Sequence, residues 1–280
     1  MQVIITLKGT TGLLNDKYFL TKTNTHEKVS YFPAHGNYYS SLFSKTDLAT
    51  VNTVKPKKGQ KMAFEAAYKV HVAKFHKTDE KVSVYEILSG EYNGYYHIVT
   101  TGRSYADFDK ERPDAAAHSL DLDKTFFPLL DETMNGTYRY MDTLSLRPEV
   151  TAEAFVVNVN HLKQGLNAAD YRRELSRALK INRTATTGFI STLSFTFHEQ
   201  IWDGSDQVTV SIRNLKGGFA ELEPPATPAP PAPAGTPSFR DQYVKAYGYD
   251  AWDERVKLLE GAVVKTETYI MKLRKDLSSQ

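Results

Sequence analysis

Histidine and tyrosine side chains are the groups through which this sequence could carry out chemistry. His97 lies in a segment of β-branched and aromatic residues, and the two-residue period of a strand places it on one face with Tyr95 and Val99. If that face borders a cavity, the imidazole can act as a general base or as an axial ligand. The alternative is a buried histidine that is hydrogen-bonded to a neighbouring tyrosine.

His71 is the second histidine of interest. It lies between Phe64 and Phe75 on the apolar stripe of a predicted helix. A helix packed on a sheet could bring His71 and His97 around one cavity, beside Tyr85. We therefore take His97, His71 and Tyr85 as candidate catalytic residues, with core packing as the alternative for His71.

Three further residues are candidates for ligand binding. Arg103 follows the strand of His97, where it could hold an anionic ligand or pair with a carboxylate such as Asp107. Tyr95 and Tyr138, together with Tyr85, would form an aromatic lining suited to a flat apolar ligand, or else an ordinary aromatic core. The candidate ligand-binding residues are therefore Arg103, Tyr95 and Tyr138.

Short catalytic motifs of known mechanism are missing from the sequence. It contains no phosphate-binding loop, no Gly-x-Gly-x-x-Gly, no His-Glu-x-x-His and no Gly-x-Ser-x-Gly. It also contains no cysteine, which excludes thiol catalysis, cysteine-ligated zinc and iron–sulfur clusters. The pair His198-Glu199 is too small a cluster to hold a metal ion, so the sequence predicts no metal site and identifies no cofactor.

Composition narrows the class of protein. The chain has 280 residues, of which 41% are hydrophobic and 12% aromatic, and this excludes an intrinsically disordered protein. Its 35 basic and 33 acidic residues nearly balance, so the electrostatic footprint of a nucleic-acid partner is missing. No apolar run reaches the roughly 18 residues of a membrane span. Residues 1–8 are too few and too polar for a signal peptide, so we expect a cytoplasmic protein unless an export signal was removed.

The hydrophobic pattern predicts the same order of elements twice, strand-helix-strand-strand-helix-strand. The first set consists of strands at 51–55, 81–89, 95–101 and 137–146, with helices at 60–77 and 115–133. The second set consists of strands at 154–161, 188–198, 207–214 and 266–273, with helices at 168–181 and 239–262.

Three segments make up the predicted domain organisation. Residues 1–49 form an irregular N-terminal arm with one strand, residues 50–150 a first repeat and residues 151–280 a second. The second repeat carries a Pro/Ala-rich insertion at 224–237, which cannot form helix or strand because proline fixes φ and lacks a backbone donor.

This arrangement resembles the dimeric α+β barrel superfamily, whose units are ferredoxin-like, here duplicated within one chain. The resemblance covers about residues 50–280 and rests on the repeated element order and on the turns at Gly59 and Gly165. It also rests on the similar ends of the two closing strands, Leu-Arg-Pro-Glu from residue 146 and Leu-Arg-Lys-Asp from residue 273. It implies an α+β fold in which two ferredoxin-like βαββαβ repeats pack sheet to sheet as an intramolecular α+β barrel.

The resemblance implies no single activity, because the superfamily includes haem-degrading monooxygenases, cofactor-free oxygenases, haem-dependent chlorite-degrading enzymes and proteins without an assigned role. We expect a non-catalytic barrel protein with a cavity for a small apolar or aromatic ligand, assembled as a homo-oligomer through its N-terminal arm. The alternative is a monooxygenase-like enzyme, haem-dependent or cofactor-free, that acts on a small aromatic or quinone-like compound. Neither nucleic acid nor a membrane is an expected partner.

Overall fold

The computed structural model describes residues 48–77, 80–146, 152–184, 195–202, 207–224 and 235–279. Residues 1–47 of the expected arm and most of the Pro/Ala-rich insertion lie outside the described residues. The last two residues of the expected arm, Leu48 and Ala49, belong to the first strand.

The first half of the described chain has the predicted order of elements. It contains a 3₁₀ turn at Tyr105–Asp107, which begins at Ser104 with a reciprocal capping box to Asp107. The regular elements are β1 (Leu48–Pro56), α1 (Lys61–Phe75), β2 (Val82–Ile87), β3 (Tyr96–Arg103), α2 (Ala115–Asp121) and β4 (Leu130–Tyr140).

The boundary between α2 and β4 differs from the prediction, which continued the helix to residue 133. The helix ends at Asp121 and passes through a π turn and a 3₁₀ turn around Pro128 before β4 begins at Leu130. Proline cannot donate a helical hydrogen bond, and β1 supplies an alternative partner through pairs such as Val54 with Thr133. Strand pairing therefore replaces the helical pattern that the sequence suggested for residues 130–133.

The second half follows the same order. Its long predicted helix is broken at Gly248, whose φ of 91° lies in a region that glycine tolerates best. The elements are β5 (Ala154–Leu162), α3 (Ala168–Thr184), β6 (Phe195–Trp202), β7 (Val208–Leu215), α4 (Phe239–Tyr247), α5 (Tyr249–Leu259) and β8 (Val263–Leu273). β6 continues to Trp202, beyond the predicted end at residue 198, and residues 188–194 lie outside the description.

The strands of the described chain close into one antiparallel barrel, in the order β1-β3-β2-β8-β5-β7-β6-β4. Strands β4-β1-β3-β2 and β8-β5-β7-β6 are the two halves of this ring. They meet at hydrogen-bonded edges, where Tyr85 pairs with Leu273 and Tyr138 with Gln200. Pairing at both edges makes a single closed sheet, which confirms the barrel expected from the sequence.

Side chains alternate between the inside and the outside of the barrel, as the two-residue period requires. On β3, Tyr96 and Ile98 point outward into a core with Phe64 and Tyr68 of α1. The residues between them point inward. Burial of each large apolar side chain contributes about 1.5–3 kcal/mol, so α1 holds the outer face of the first half firmly.

The barrel interior has its own apolar cluster. It includes Phe155 and Val157 of β5 and Tyr269 and Met271 of β8, all of them buried. On the outer face of β6, Phe197 packs with residues of α3. The strands are covered by helices on the outside of the barrel and by the apolar cluster on the inside. For this reason the strand sequences carry apolar residues on both faces, without a regular alternation of apolar and polar residues. No helix in the described part of the chain is long and apolar enough to cross a membrane.

Candidate functional site

A cavity of about 260 Å³ lies inside the barrel. Every strand of the ring contributes to its wall, and an eight-stranded barrel is of the size that can enclose one small ligand. The wall is formed by Ala49, Val51, Tyr85, His97, Val99, Thr101, Tyr138, Phe155, Val157, Val159, Thr196, His198, Val210, Ile212, Asn214, Tyr269 and Met271.

The wall combines an apolar surface with a few polar groups. Alanine, valine, isoleucine, phenylalanine and methionine side chains from β1, β3, β5, β7 and β8 account for nine of its seventeen residues. Imidazole and phenol groups lie among them, together with the smaller polar side chains Thr101, Thr196 and Asn214. Small-molecule sites in proteins commonly have this composition, in which apolar area supplies affinity and few polar groups supply orientation.

His97 is held at both ring nitrogens. Its Nδ1 lies 2.8 Å from Thr53 Oγ1, and its Nε2 lies 2.8 Å from the hydroxyl of Tyr269. The residue lines the cavity inside the barrel. Burial lowers the pKa of His97 to about 4, so the imidazole is neutral at pH 7. The structure therefore shows the alternative stated from the sequence, a buried histidine bonded to a tyrosine, on the wall of a cavity.

A second imidazole lines the same cavity. His198 of β6 lies with its Nε2 3.1 Å from Thr196 Oγ1, and its ring packs against Tyr140. Burial lowers the pKa of His198 to about 4 as well. The interior thus presents two neutral imidazoles and no charged side chain among its lining residues. Charged ligands would lose their hydration there without a compensating partner.

The three tyrosines named from the sequence have different positions. Tyr85 lines the cavity, and its ring meets Phe155 edge to face at 5.5 Å. Tyr138 also lines it, with its ring lying over the backbone of Gly136. Tyr95 belongs to the interior cluster, but its hydroxyl donates to Glu132 at 2.8 Å. Tyr85 and Tyr138 are therefore brought together with His97, whereas the hydroxyl of Tyr95 is engaged by a surface carboxylate.

His71 and Arg103 lie in a different place from His97. Both line a second cavity, of about 540 Å³, on the outer side of the sheet beneath α1 and α2. The expectation that His71 and His97 share one cavity is thus wrong, because α1 covers the face of β3 opposite to His97. Arg103 pairs with Glu80 at 2.8 Å. Asp107, the partner suggested from the sequence, caps Ser104 instead.

Sequence reasoning missed Thr53 and Tyr269, the two partners of His97. Tyr269 shares the inner face of β8 with Met271, and the two-residue period alone would have identified that face. Its distance of 172 residues from His97 left no local signal of their contact. His198 was expected near a strand end, whereas it lies within β6 on the cavity wall.

Haem fits neither cavity, although the family resemblance implied it as one option. The interior cavity is smaller than the roughly 300–1,000 Å³ of pockets for drug-sized ligands, and both ring nitrogens of His97 are engaged. In the outer cavity, Nε2 of His71 faces a neighbouring imidazole at 3.2 Å and is not presented singly as an axial ligand. No haem-dependent step is therefore assigned to these residues.

Solved structures with similar chain traces have very different sequences. A proposed monooxygenase from Lactobacillus acidophilus NCFM aligns over 84% of this chain and 96% of its own, with a TM-score of 0.46 and 10% identity. An anthrone oxidase-like protein aligns over 84% of this chain and 94% of its own, with a TM-score of 0.45 and 11% identity. A chlorite dismutase mutant from Candidatus Nitrospira defluvii aligns over 84% of this chain and 93% of its own, with a TM-score of 0.44 and 8% identity.

These similarities carry no argument about activity, because each TM-score is below 0.5 and each identity is near one residue in ten. No protein-family model matches the sequence, and no curated protein matches it. The site must therefore be interpreted from its own geometry.

Proposed function

We propose that this protein binds a small, uncharged, aromatic or otherwise apolar molecule inside its barrel. The observation that carries the proposal is the largely apolar cavity inside the barrel, which both His97 and Tyr269 line. Binding there removes apolar ligand surface from water, at about 25 cal/mol for each Å² buried. Filling the cavity also restores contacts that its lining atoms lack.

The cavity volume limits the size of the ligand. An engineered cavity of about 150 Å³ in another protein holds benzene. At about 260 Å³, the present cavity has room for one substituted ring or a compact bicycle, but not for an extended polycyclic molecule. We infer a single-ring phenol, quinone or similar compound as the ligand class.

The hydroxyl of Tyr269 provides a polar contact for such a ligand. When it donates to Nε2 of His97, its oxygen keeps lone pairs that can accept from a ligand hydroxyl. When His97 donates from Nε2 instead, the Tyr269 hydroxyl can donate to a ligand carbonyl. Tyr85, Tyr138 and His198 complete the aromatic part of the wall. Both phenols and quinones are accommodated by this arrangement.

Cofactor-free oxygenation of the same ligand is the second candidate function, with His97 as general base and Tyr85 beside the substrate. A general base works best when its pKa is near the operating pH. Burial holds the pKa of His97 at about 4, which makes it a weak base at pH 7. For this reason we favour binding over catalysis. Arg103, Tyr95 and His71 do not line the interior cavity and are not among the proposed binding residues.

We also infer that residues 50–150 and 151–280 are tandem ferredoxin-like repeats of the dimeric α+β barrel type. The support is that each half has four strands in the same relative order, 4-1-3-2.

Homo-oligomerisation through the N-terminal arm is part of the proposal. Size-exclusion chromatography of a chain without residues 1–47, which leaves β1 intact, tests it. A lower number of chains in the particle supports this role of the arm, and an unchanged number of chains contradicts it.

Ligand binding is tested by titration of 4-fluorophenol, followed by fluorine NMR. Val99 lines the cavity, and Val99→Phe should fill part of it and weaken binding at least about 10-fold. Val256, half exposed on α5, provides the matched control: Val256→Phe should leave binding unchanged. Equal affinity in both variants and the wild type would contradict an interior site.

A further inference from the structure

Three histidines converge in the outer cavity, on the side of the sheet opposite to the proposed ligand site. His71 comes from α1, His76 directly follows α1 as its C-cap, and His118 comes from α2. The Nε2 atom of His118 lies 3.2 Å from that of His71 and 3.3 Å from that of His76. One ligand atom from each of the three rings lies within 4.8 Å of the others.

These separations match the edges of a metal coordination polyhedron. Zinc–nitrogen bonds of about 2.0–2.1 Å at tetrahedral angles place two ligand nitrogens about 3.3–3.4 Å apart. The two short Nε2–Nε2 distances agree with this value within about 0.2 Å. In the third pair, His71 and His76, the candidate ligand atoms lie within 4.8 Å of each other, so metal binding requires these two rings to approach by at most about 1.5 Å.

The other ring nitrogens are oriented by acceptors. Nδ1 of His71 lies 2.9 Å from the carboxylate of Asp121, and Nδ1 of His76 lies 2.8 Å from the carbonyl oxygen of Glu80. A carboxylate and a carbonyl only accept hydrogen bonds, so both rings carry their proton on Nδ1 and present a lone pair at Nε2. Metal-binding histidines have this same arrangement.

A hydrogen-bonded cluster without metal leaves the three rings short of protons. The lone pairs of His71 and His76 both face Nε2 of His118, and that nitrogen carries at most one hydrogen when neutral. At least one lone pair then lacks a full donor at a buried position, which is unfavourable. A cation between the three nitrogens satisfies all of them.

The basic side chains around the cluster are paired with carboxylates. Asp121 lies next to His71 and is also bound by Lys74 at 3.1 Å. Arg112 lines the same cavity, and its charge is compensated by Glu80 and Asp114. Arg103 pairs with Glu80 as well. The local positive charges are thus matched by carboxylates.

We propose that His71, His76 and His118 bind one divalent transition-metal ion through their Nε2 atoms. Imidazole ligands select the class of Zn²⁺, Co²⁺, Ni²⁺ and Cu²⁺ over Mg²⁺ and Ca²⁺, which prefer oxygen. Three protein ligands leave at least one coordination position open, and all three histidines line the cavity of about 540 Å³. This is the ligand count of sites that admit water or a small exogenous ligand, whereas purely structural zinc sites have four protein ligands.

Zinc binding to the full chain, without a histidine tag, tests the proposal by isothermal titration calorimetry. The chain contains eight histidines, so the comparison between variants decides the outcome. The wild type should bind Zn²⁺ at this site, and His118→Ala should weaken that binding more than about 100-fold. His161→Ala provides the matched control, since His161 lies on β5 beside Glu267 and away from the cluster. It should leave the affinity unchanged.

Two further readouts test the geometry. Asp121→Asn should weaken zinc binding about 10- to 100-fold, because it alters the orienting partner of His71 while every ligand remains. Co²⁺ should give the intense visible absorption of a four-coordinate ion in the wild type and lose it in His118→Ala. Circular dichroism checks that His118→Ala is folded, which we expect because His118 is only half-buried on a short helix. Equal zinc affinity in the wild type and folded His118→Ala, or equal Co²⁺ spectra, would overturn the proposal.

Discussion

The Nε2 atom of His97 and the hydroxyl of Tyr269 are joined by a hydrogen bond of 2.8 Å, although 172 residues separate them in the sequence. His97 lies on β3 in the first half of the barrel and Tyr269 on β8 in the second. Pairing of β2 with β8 closes the ring on this side, so that only β2 lies between β3 and β8. The interior site therefore exists only when both halves have joined.

Loss of the Tyr269 hydroxyl should reduce stability. In Tyr269→Phe, Nε2 of His97 loses its partner at a buried position, which should lower the free energy of unfolding by about 1–3 kcal/mol. Tyr249→Phe, at an exposed tyrosine of α5, is the control and should have almost no effect. Urea denaturation measures both changes. A Tyr269→Phe protein as stable as the control would show that the hydrogen bond contributes little.

Acid should destabilise the fold through its buried histidines. The pKa of His97 is about 4 in the folded protein, against about 6.5 when unfolded. Between these values the unfolded state binds more protons, so the contribution of His97 is complete above pH 6.5 and is lost as pH falls toward 4. Each pH unit in that window costs about 1.4 kcal/mol for one such histidine.

The comparison of wild type with His97→Gln isolates this effect. Urea denaturation at pH 7, 6 and 5, in the presence of EDTA, should show a shallower loss of stability in His97→Gln. His198 and the other buried histidines remain in the variant, so part of the pH dependence should persist. The same slope in both proteins would contradict a depressed pKa at His97.

The close approach of Tyr138 to Gly136 should make this glycine intolerant of substitution. A Cβ atom at Gly136 would lie 2.8 Å from the Tyr138 ring, so that ring must move in Gly136→Ala. We expect a destabilisation of about 1–3 kcal/mol and weaker ligand binding, because Tyr138 lines the cavity.

A double-mutant cycle checks the cause of the Gly136→Ala effect. If the clash with the ring is responsible, Tyr138→Ala should remove most of the additional cost of Gly136→Ala, which gives a coupling energy above about 0.5 kcal/mol. Additive effects of the two substitutions would exclude the clash as the cause.

Glu174 should be required for the packing of α3 against α4. Its side chain is almost fully buried, accepts from the hydroxyl of Tyr243 and pairs with Arg177 at 2.8 Å. Glu174→Ala removes the acceptor of the buried Tyr243 hydroxyl and should lower the free energy of unfolding by about 1–3 kcal/mol. Glu254→Ala, at an exposed position of α5, is the control. A similar stability of the two variants, measured by thermal unfolding, would contradict this role.

The element order and the face of β3 could be predicted from the sequence because they depend on local periodicity. The alternation around His97 correctly separated His97 and Val99 from Tyr96 and Ile98. The start of β4 could not be predicted in this way. Pairing with β1 overrides the local pattern there, and pairing depends on a distant segment.

The composition of the sites was harder to predict than the fold. Which side of the sheet α1 covers is a tertiary property, so the sequence could not place His71 and His97 in separate cavities. His118 lies 47 residues from His71, and no spacing rule connects them. Tyr269 was not singled out from the sequence: the strand period could have placed it on the inner face of β8, but it could not have identified His97 as its partner.

The central claim is that the barrel interior takes up a small aromatic molecule beside His97 and Tyr269. A crystal of the protein soaked with 4-bromophenol tests this claim directly, because bromine is located by its anomalous signal. The account predicts a bromine peak inside the barrel, among Val99, Val157 and Ile212, with the phenol oxygen within hydrogen-bonding distance of Tyr269. An interior without bromine at a saturating concentration, or a peak found only on the outer surface, would contradict it.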